Sequence, residues 1–155
     1  MATGLGANVT ILEKSNARMR FLDEYFIGRA NIVYSNLDIL ERDNIVERVA
    51  KDVGPYLQKR WAELGQHPIV GHTRGLGMFG SMELVRNKET RERLAPDQVS
   101  GGVCRDLSIA NGLVMRAVGD SMIISPPLIC SHAEIDTIID RVTQALDQTA
   151  EYFAV

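Results

Sequence analysis

The chain has little cysteine, few aromatic residues and no long apolar run. Its two cysteines, Cys104 and Cys130, lack C-x-x-C spacing, so no disulfide framework is expected and both thiols read as small apolar core groups. No stretch approaches the roughly 18 apolar residues of a membrane span. The opening MATGLGANVT has neither the basic nor the apolar region of a signal peptide, which leads to the expectation of a cytoplasmic protein. A net charge of −3 gives no electrostatic basis for binding nucleic acid or an anionic membrane. Internal repeats and low-complexity tracts are missing too. What is present, 155 residues with 45% hydrophobic and 24% charged side chains, suits a single globular domain spanning residues 1–155 with one buried core.

The pattern along the chain predicts a mixed α/β fold, a sheet of about five strands with helices packed on it. NVTILE (8–13) and ANIVY (30–34) read as strands around a helix in NARMRFLDEYFIG, capped by Asn16 and stopped by Gly28, which makes a βαβ unit with parallel strands. A long helix follows from Ser35 or Asn36, with Val49, Val53, Leu57, Trp61 and Leu64 along one stripe and a kink expected at Gly54-Pro55. IVGHTRGLGMFGSMELV (69–85) is strand-like but rich in glycine, which calls for a bulge or a closely packed backbone. Residues 86–96 read as a solvated loop. A weaker helix at 97–111 would bury Val99, Val103 and Leu107 and stop at Gly112. LVMRAV and SMIIS flank Gly119-Asp120 as a hairpin, and Ser131 with Glu134 forms a capping box for a final helix.

Few residues offer chemistry by their spacing. Gly4 and Gly6 form G-x-G, but the third glycine position is Val9 and the stretch precedes a strand instead of following one, so no phosphate cradle is expected. His67, His72 and His132 lack partners at metal-ligand spacing, so no metal site is expected. Lys14, Lys51, Lys59 and Lys88 sit in polar, charged surroundings that would not lower an amine pKa for imine chemistry. Arg116 stands apart, because alternation places it opposite Met115, just before the Gly119-Asp120 turn. An edge arginine paired with a surface carboxylate is one reading. A guanidinium fork for a carboxylate ligand, alone or with Arg74, is the other.

Three pieces, LDILERDNIVERVAKDVGPYLQKRW, VGHTRGLGMFGSMELV and NGLVMRAVGDSMIISPPLICSHAEID, run in one order from about Leu37 to Val155. Residues 37–155 thereby resemble the C-terminal small domain of class III pyridoxal-phosphate-dependent aminotransferases of the ω-amino acid:pyruvate kind. The resemblance implies that Arg116 matches an arginine able to bind a substrate carboxylate or withdraw for an apolar substrate. In that family the imine lysine, the aspartate on the pyridine nitrogen and the phosphate cup belong to a large domain that the resemblance does not cover. Residues 4–36, GLGANVTILEKSNARMRFLDEYFIGRANIVYSN, resemble a βαβ piece of the alanine dehydrogenase NAD-binding domain, with Glu13 at the position of a ribose-binding acid. The glycine-rich turn that would hold the NAD pyrophosphate is expected to lie upstream of this stretch.

Taken together, the two resemblances predict an engineered or selected chimera joined near residue 36. It would have no native catalysis, no complete pyridoxal phosphate or NAD site, no catalytic residues, and a tendency to form a twofold homodimer through uncovered apolar surface. Two alternatives stay open: a residual transaminase acting on an amino acid and pyruvate, and a module binding small carboxylates through Arg116.

Overall fold

A computed structural model describes residues 9–13, 15–27, 30–34, 44–95, 97 and 99–155. The chain divides into two compact units, residues 1–46 and 47–155.

In the first unit, β1 (Val9–Glu13) and β2 (Ala30–Tyr34) pair in parallel, with Val9 opposite Ala30 and Glu13 opposite Tyr34. Between them runs α1 (Asn16–Phe26). The expected cap shifts by one residue. Ser15, in extended backbone, accepts from the Arg18 amide at 3.4 Å, and Asn16 is already helical. A serine hydroxyl one position earlier reaches the free amides of the first turn, which removes the need for Asn16. The helix ends at Ile27, whose left-handed φ of 48° lets its amide return to the Asp23 carbonyl. The expected Gly28 stop and the Ser35 or Asn36 helix start lie outside the described residues.

The second unit begins within α2 (Ile45–Arg48) and continues through a π turn at Val49–Val53 into α3 (Gly54–Glu63). Pro55 has no amide to donate and would crowd the preceding turn of a regular helix. The chain widens by one residue instead: the Gly54 amide bonds back to the Val49 carbonyl, five residues earlier. So the expected irregularity at Gly54-Pro55 takes the form of a π turn leading into a proline-opened helix.

The glycine-rich stretch is a hairpin, β3 (Val70–Leu76) and β4 (Phe79–Asn87), turned at Gly77 with φ of 56°. A register shift between Val70 and His72 supplies the expected bulge. Close packing explains Gly80, where a Cβ would stand 2.8 Å from the Trp61 ring. The run read as a solvated loop is partly structured. β4 continues to Asn87, β5 (Glu92–Arg93) pairs back on it, and Leu94 is fully buried.

The hairpin β6 (Arg116–Val118) and β7 (Ser121–Ile124) forms around Gly119-Asp120 as expected. All pairings in this second unit are antiparallel, and the order is β3-β4-β7-β6, with β5 beside β4. The α/β class with about five strands and covering helices therefore holds; these five strands form one antiparallel sheet and the parallel β1-β2 pair forms another.

α4 (Ser100–Ala110) and α5 (His132–Tyr152) complete the unit. α4 does not bury the expected valine-leucine stripe. Val99 is exposed, and the buried residues are Ser100, Gly101, Cys104 and Ser108. The small residues face inward because the helix lies close to the β6-β7 turn, where a Cβ on Gly101 would strike the Gly119 carbonyl. α5 has the predicted capping box, with Ser131 and Glu134 bonding each other's backbone amides. Its Ile135, Ile139, Val142 and Leu146 join Leu57, Trp61, Met82 and Met122 in the core.

A candidate carboxylate-binding sheet face

Residues directly opposite in paired strands point to the same side of a sheet. Applied to the observed register, this puts Ala117, Met122, Met82 and Thr73 in one row, and Met82 and Met122 are buried in the core. The next row, Arg116, Ile123, Ser81 and Arg74, must face the other way. Val118, Ser121, Glu83 and His72 form a third row on that same side. The helices leave this side open: Arg116, Arg74 and His72 are exposed, with Leu76, Phe79 and Val118 also standing in solvent.

Arg116 opens the edge strand β6 with Ile123 opposite. Among the described residues it has no hydrogen-bond or ion-pair partner, so its five donors are available to a ligand. Met115 beside it is 2% exposed and anchors the strand from the core side, as alternation predicted. Arg74 shares the row of Arg116, but at the other end, three strand spacings or about 14 Å away. The two guanidiniums share a face without sharing a grip.

The turn that aims β6 is held by Asp120. Its carboxylate accepts from the Ser100 amide and hydroxyl, both at 2.8 Å, and pairs with Arg93 at 2.9 Å. Its carbonyl accepts from the Leu84 amide at 2.9 Å. Burial pushes the Asp120 carboxyl up, but the bonds from Ser100 and Arg93 outweigh that and hold it below the usual carboxylate range. Sequence reasoning had seen in Asp120 only a turn former. Nothing local signalled this clamp, because Ser100 and Arg93 reach it through the fold.

A second feature was missed altogether. His72, Arg74, Glu83 and Arg91 line a cavity of about 110 Å³ on the open face.

The other singled-out residues serve structure. His67 contacts Asp147 at 3.1 Å, and His132 contacts Asp52 at 2.8 Å while stacking on Tyr56. No cluster of three metal-ligating side chains occurs among the described residues. Glu13 accepts from the Ser15 amide at 3.0 Å and pairs with Arg18 at 3.3 Å, at the start of α1. Cys104 and Cys130 are free and buried, and burial pushes both thiols up. Lys51 pairs with Glu47 at 2.6 Å and Lys88 donates to the Gly65 carbonyl at 2.8 Å, while Lys59 is exposed. Lys14 lies outside the described residues. The described lysines thus do not fit an imine position, which needs a desolvated amine or a cationic neighbour.

Comparison with known proteins agrees with this architecture. The class-III aminotransferase family profile matches residues 28–146. The putrescine–pyruvate aminotransferase of Pseudomonas aeruginosa is 50% identical over 121 residues, covering 78% of this chain and 26% of that protein. The diaminobutyrate–2-oxoglutarate transaminase of Halomonas elongata is 31% identical, covering 76% of this chain and 25% of that protein. A solved transaminase with L-alanine superposes with a TM-score of 0.71 at 33% identity, over 77% of this chain and 27% of the other. The chain therefore spans about a quarter of the length of the curated relatives it matches.

These matches overturn the expectation of an engineered chimera without native function. Half the aligned residues are identical to those of one natural enzyme, and nothing in the comparisons indicates engineering. The family match also runs through residues 28–36, which the chimera reading had given to an alanine dehydrogenase piece, so no junction falls at residue 36. With the family profile matching residues 28–146 and a solved transaminase sharing its fold, the chain belongs to the class-III aminotransferases.

Proposed function

We propose that the chain supplies the carboxylate-recognising part of an aminotransferase that exchanges an amino group between an amine or amino acid and pyruvate. The observation that carries this reading is Arg116, a guanidinium without a partner among the described residues, on the open face of a sheet whose other face is a closed core. A planar fork of charged donors matches a carboxylate in shape and sign. Pyruvate is favoured because it is named for the relative with 50% identity. Arg116 orients the ligand; the described lysines take no part in pyridoxal phosphate chemistry, and catalysis by this chain alone is not expected.

The reading extends to two further points. Exposed Leu76, Phe79 and Val118 on the same face favour twofold self-association, which sedimentation across a concentration series tests; a single monomeric species throughout would remove it. The two free, buried cysteines favour a reducing, cytoplasmic setting.

Calorimetric titration with pyruvate tests the central claim. A hydrogen-bonded charge contributes about 1.5–3 kcal/mol, so Arg116→Ala should weaken binding roughly ten- to a hundredfold. Equal heats for the two chains would end the proposal. Borohydride trapping of pyridoxal phosphate on one specific lysine would show instead that the chain carries its own imine site.

A further inference from the structure

The cavity between His72, Arg74, Glu83 and Arg91 is assigned no role by the reading above, and its chemistry differs from that of Arg116. His72 stands opposite Glu83 across β3 and β4, and Arg74, two residues along, is diagonal to Glu83 on the same face. Such neighbours lie within reach of long side chains. Arg91 arrives from a different direction, on the turn after β4. Its backbone takes a φ of 56°, and Asn87 brackets the turn by accepting from the Glu89 amide at 2.8 Å and the Thr90 amide at 3.1 Å. A strand and a turn fixed by its own side chain thus aim two guanidiniums and an imidazole at one small space.

Charge in that space is unbalanced. Glu83 meets Arg91 at 3.5 Å, longer than a charge-assisted hydrogen bond, with both side chains largely exposed. Arg74 and His72 have no partner among the described residues. Two guanidiniums face one carboxylate, leaving a net positive charge even with a neutral imidazole. The volume of about 110 Å³ is several times the 10–15 Å³ or so that one water requires. It has room for one compact polyatomic anion, not for an extended chain.

We propose that this cavity is a binding site for a small phosphate-type dianion. A tetrahedral oxyanion offers oxygens to three donors converging from different directions, whereas a dicarboxylate would have to split its charge between two separated groups. The Glu83 carboxylate opposes the ligand and sets a modest affinity.

The test is titration of the full chain with inorganic phosphate and, separately, with succinate, at fixed ionic strength. The expected result is one saturable phosphate site, at least tenfold tighter than succinate. Arg74→Gln and Arg91→Gln should each weaken it tenfold or more, and Glu83→Gln should tighten it severalfold. Arg116→Ala should leave phosphate binding unchanged while weakening pyruvate binding, which separates this site from the carboxylate contact. Unchanged thermal melts confirm that Arg74→Gln and Arg91→Gln chains are folded; Arg74→Lys, which keeps charge but loses the fork, replaces Arg74→Gln if that one melts early, and should also weaken binding. Phosphate binding indifferent to both arginines, weakened by Glu83→Gln, matched by succinate, or lost with Arg116→Ala would overturn the proposal.

Discussion

The two sides of the β3-β4-β7-β6 sheet are made by alternate residues of the same strands, yet they have opposite physics. Met82 and Met122 are buried in a methionine-rich layer under Trp61 and Leu57. One position along, Arg74, Glu83 and Arg116 stand over solvent with few or weak partners. Apolar burial pays by area and holds the fold; unpaired guanidiniums add little to stability and are kept where a ligand can complete them. A one-residue shift in register would exchange the two sides, so the glycines and bulge that fix register also decide which residues can bind.

The largest effects should come from the covered side. Trp61 is 1% exposed and its indole donates to the Ser81 carbonyl at 3.1 Å. Trp61→Ala removes that donor and opens a cavity, for an expected loss of about 3–5 kcal/mol in a urea melt followed by circular dichroism. Gly80→Ala attacks the same contact from the sheet, placing a Cβ against the indole, with an expected loss of about 1–3 kcal/mol. If Gly80→Ala were neutral, the ring would not lie on the strand as described.

An intermediate effect belongs to the clamp that joins the sides. Asp120 provides α4 with an N-terminal acceptor that its own cap residue, Val99, lacks. Asp120→Ala should cost about 1–2 kcal/mol at neutral pH. Because the folded-state carboxyl is held below its usual value, the contribution is fully present above the unfolded value of about 3.9 and disappears as pH falls through the folded one. The stability gap between the parent and Asp120→Ala should therefore stay constant at neutral pH and narrow below about pH 4. A gap that persisted at low pH would mean that Asp120 acts through packing, not charge.

What could be read in advance follows how local each cause is. The Ser131–Glu134 capping box and the Gly119-Asp120 hairpin depend on neighbours in sequence, and both formed where expected. The family was legible too, in the motifs around Arg116. The inward side of α4 was not, because Gly101 faces a carbonyl of a distant turn, and periodicity alone favours the larger Val103 and Leu107. The sequence offered Arg74 as a companion to Arg116, but not that the two stand at opposite ends of one row. The row exists only because β4 pairs with β7, some forty residues on, whereas the Arg91 cavity is assembled by the β3-β4 pairing and the turn after β4. The chimera reading failed for a related reason: it cut the chain at residue 36 on local likeness, inside a family match that runs from 28.

The smallest expected effect is the most direct test of the contrast. If the open side is free of structural duty, Arg116→Ala and Arg74→Gln should each leave unfolding free energy within about 0.5 kcal/mol of the parent, as exposed substitutions without buried partners do. Equilibrium urea unfolding with Trp61 fluorescence measures this, since the indole reports from the covered side of the same strands. A loss above about 1 kcal/mol for Arg116→Ala would mean that its guanidinium already has a partner within the fold, and that the open side is an extension of the core, not a place for a ligand.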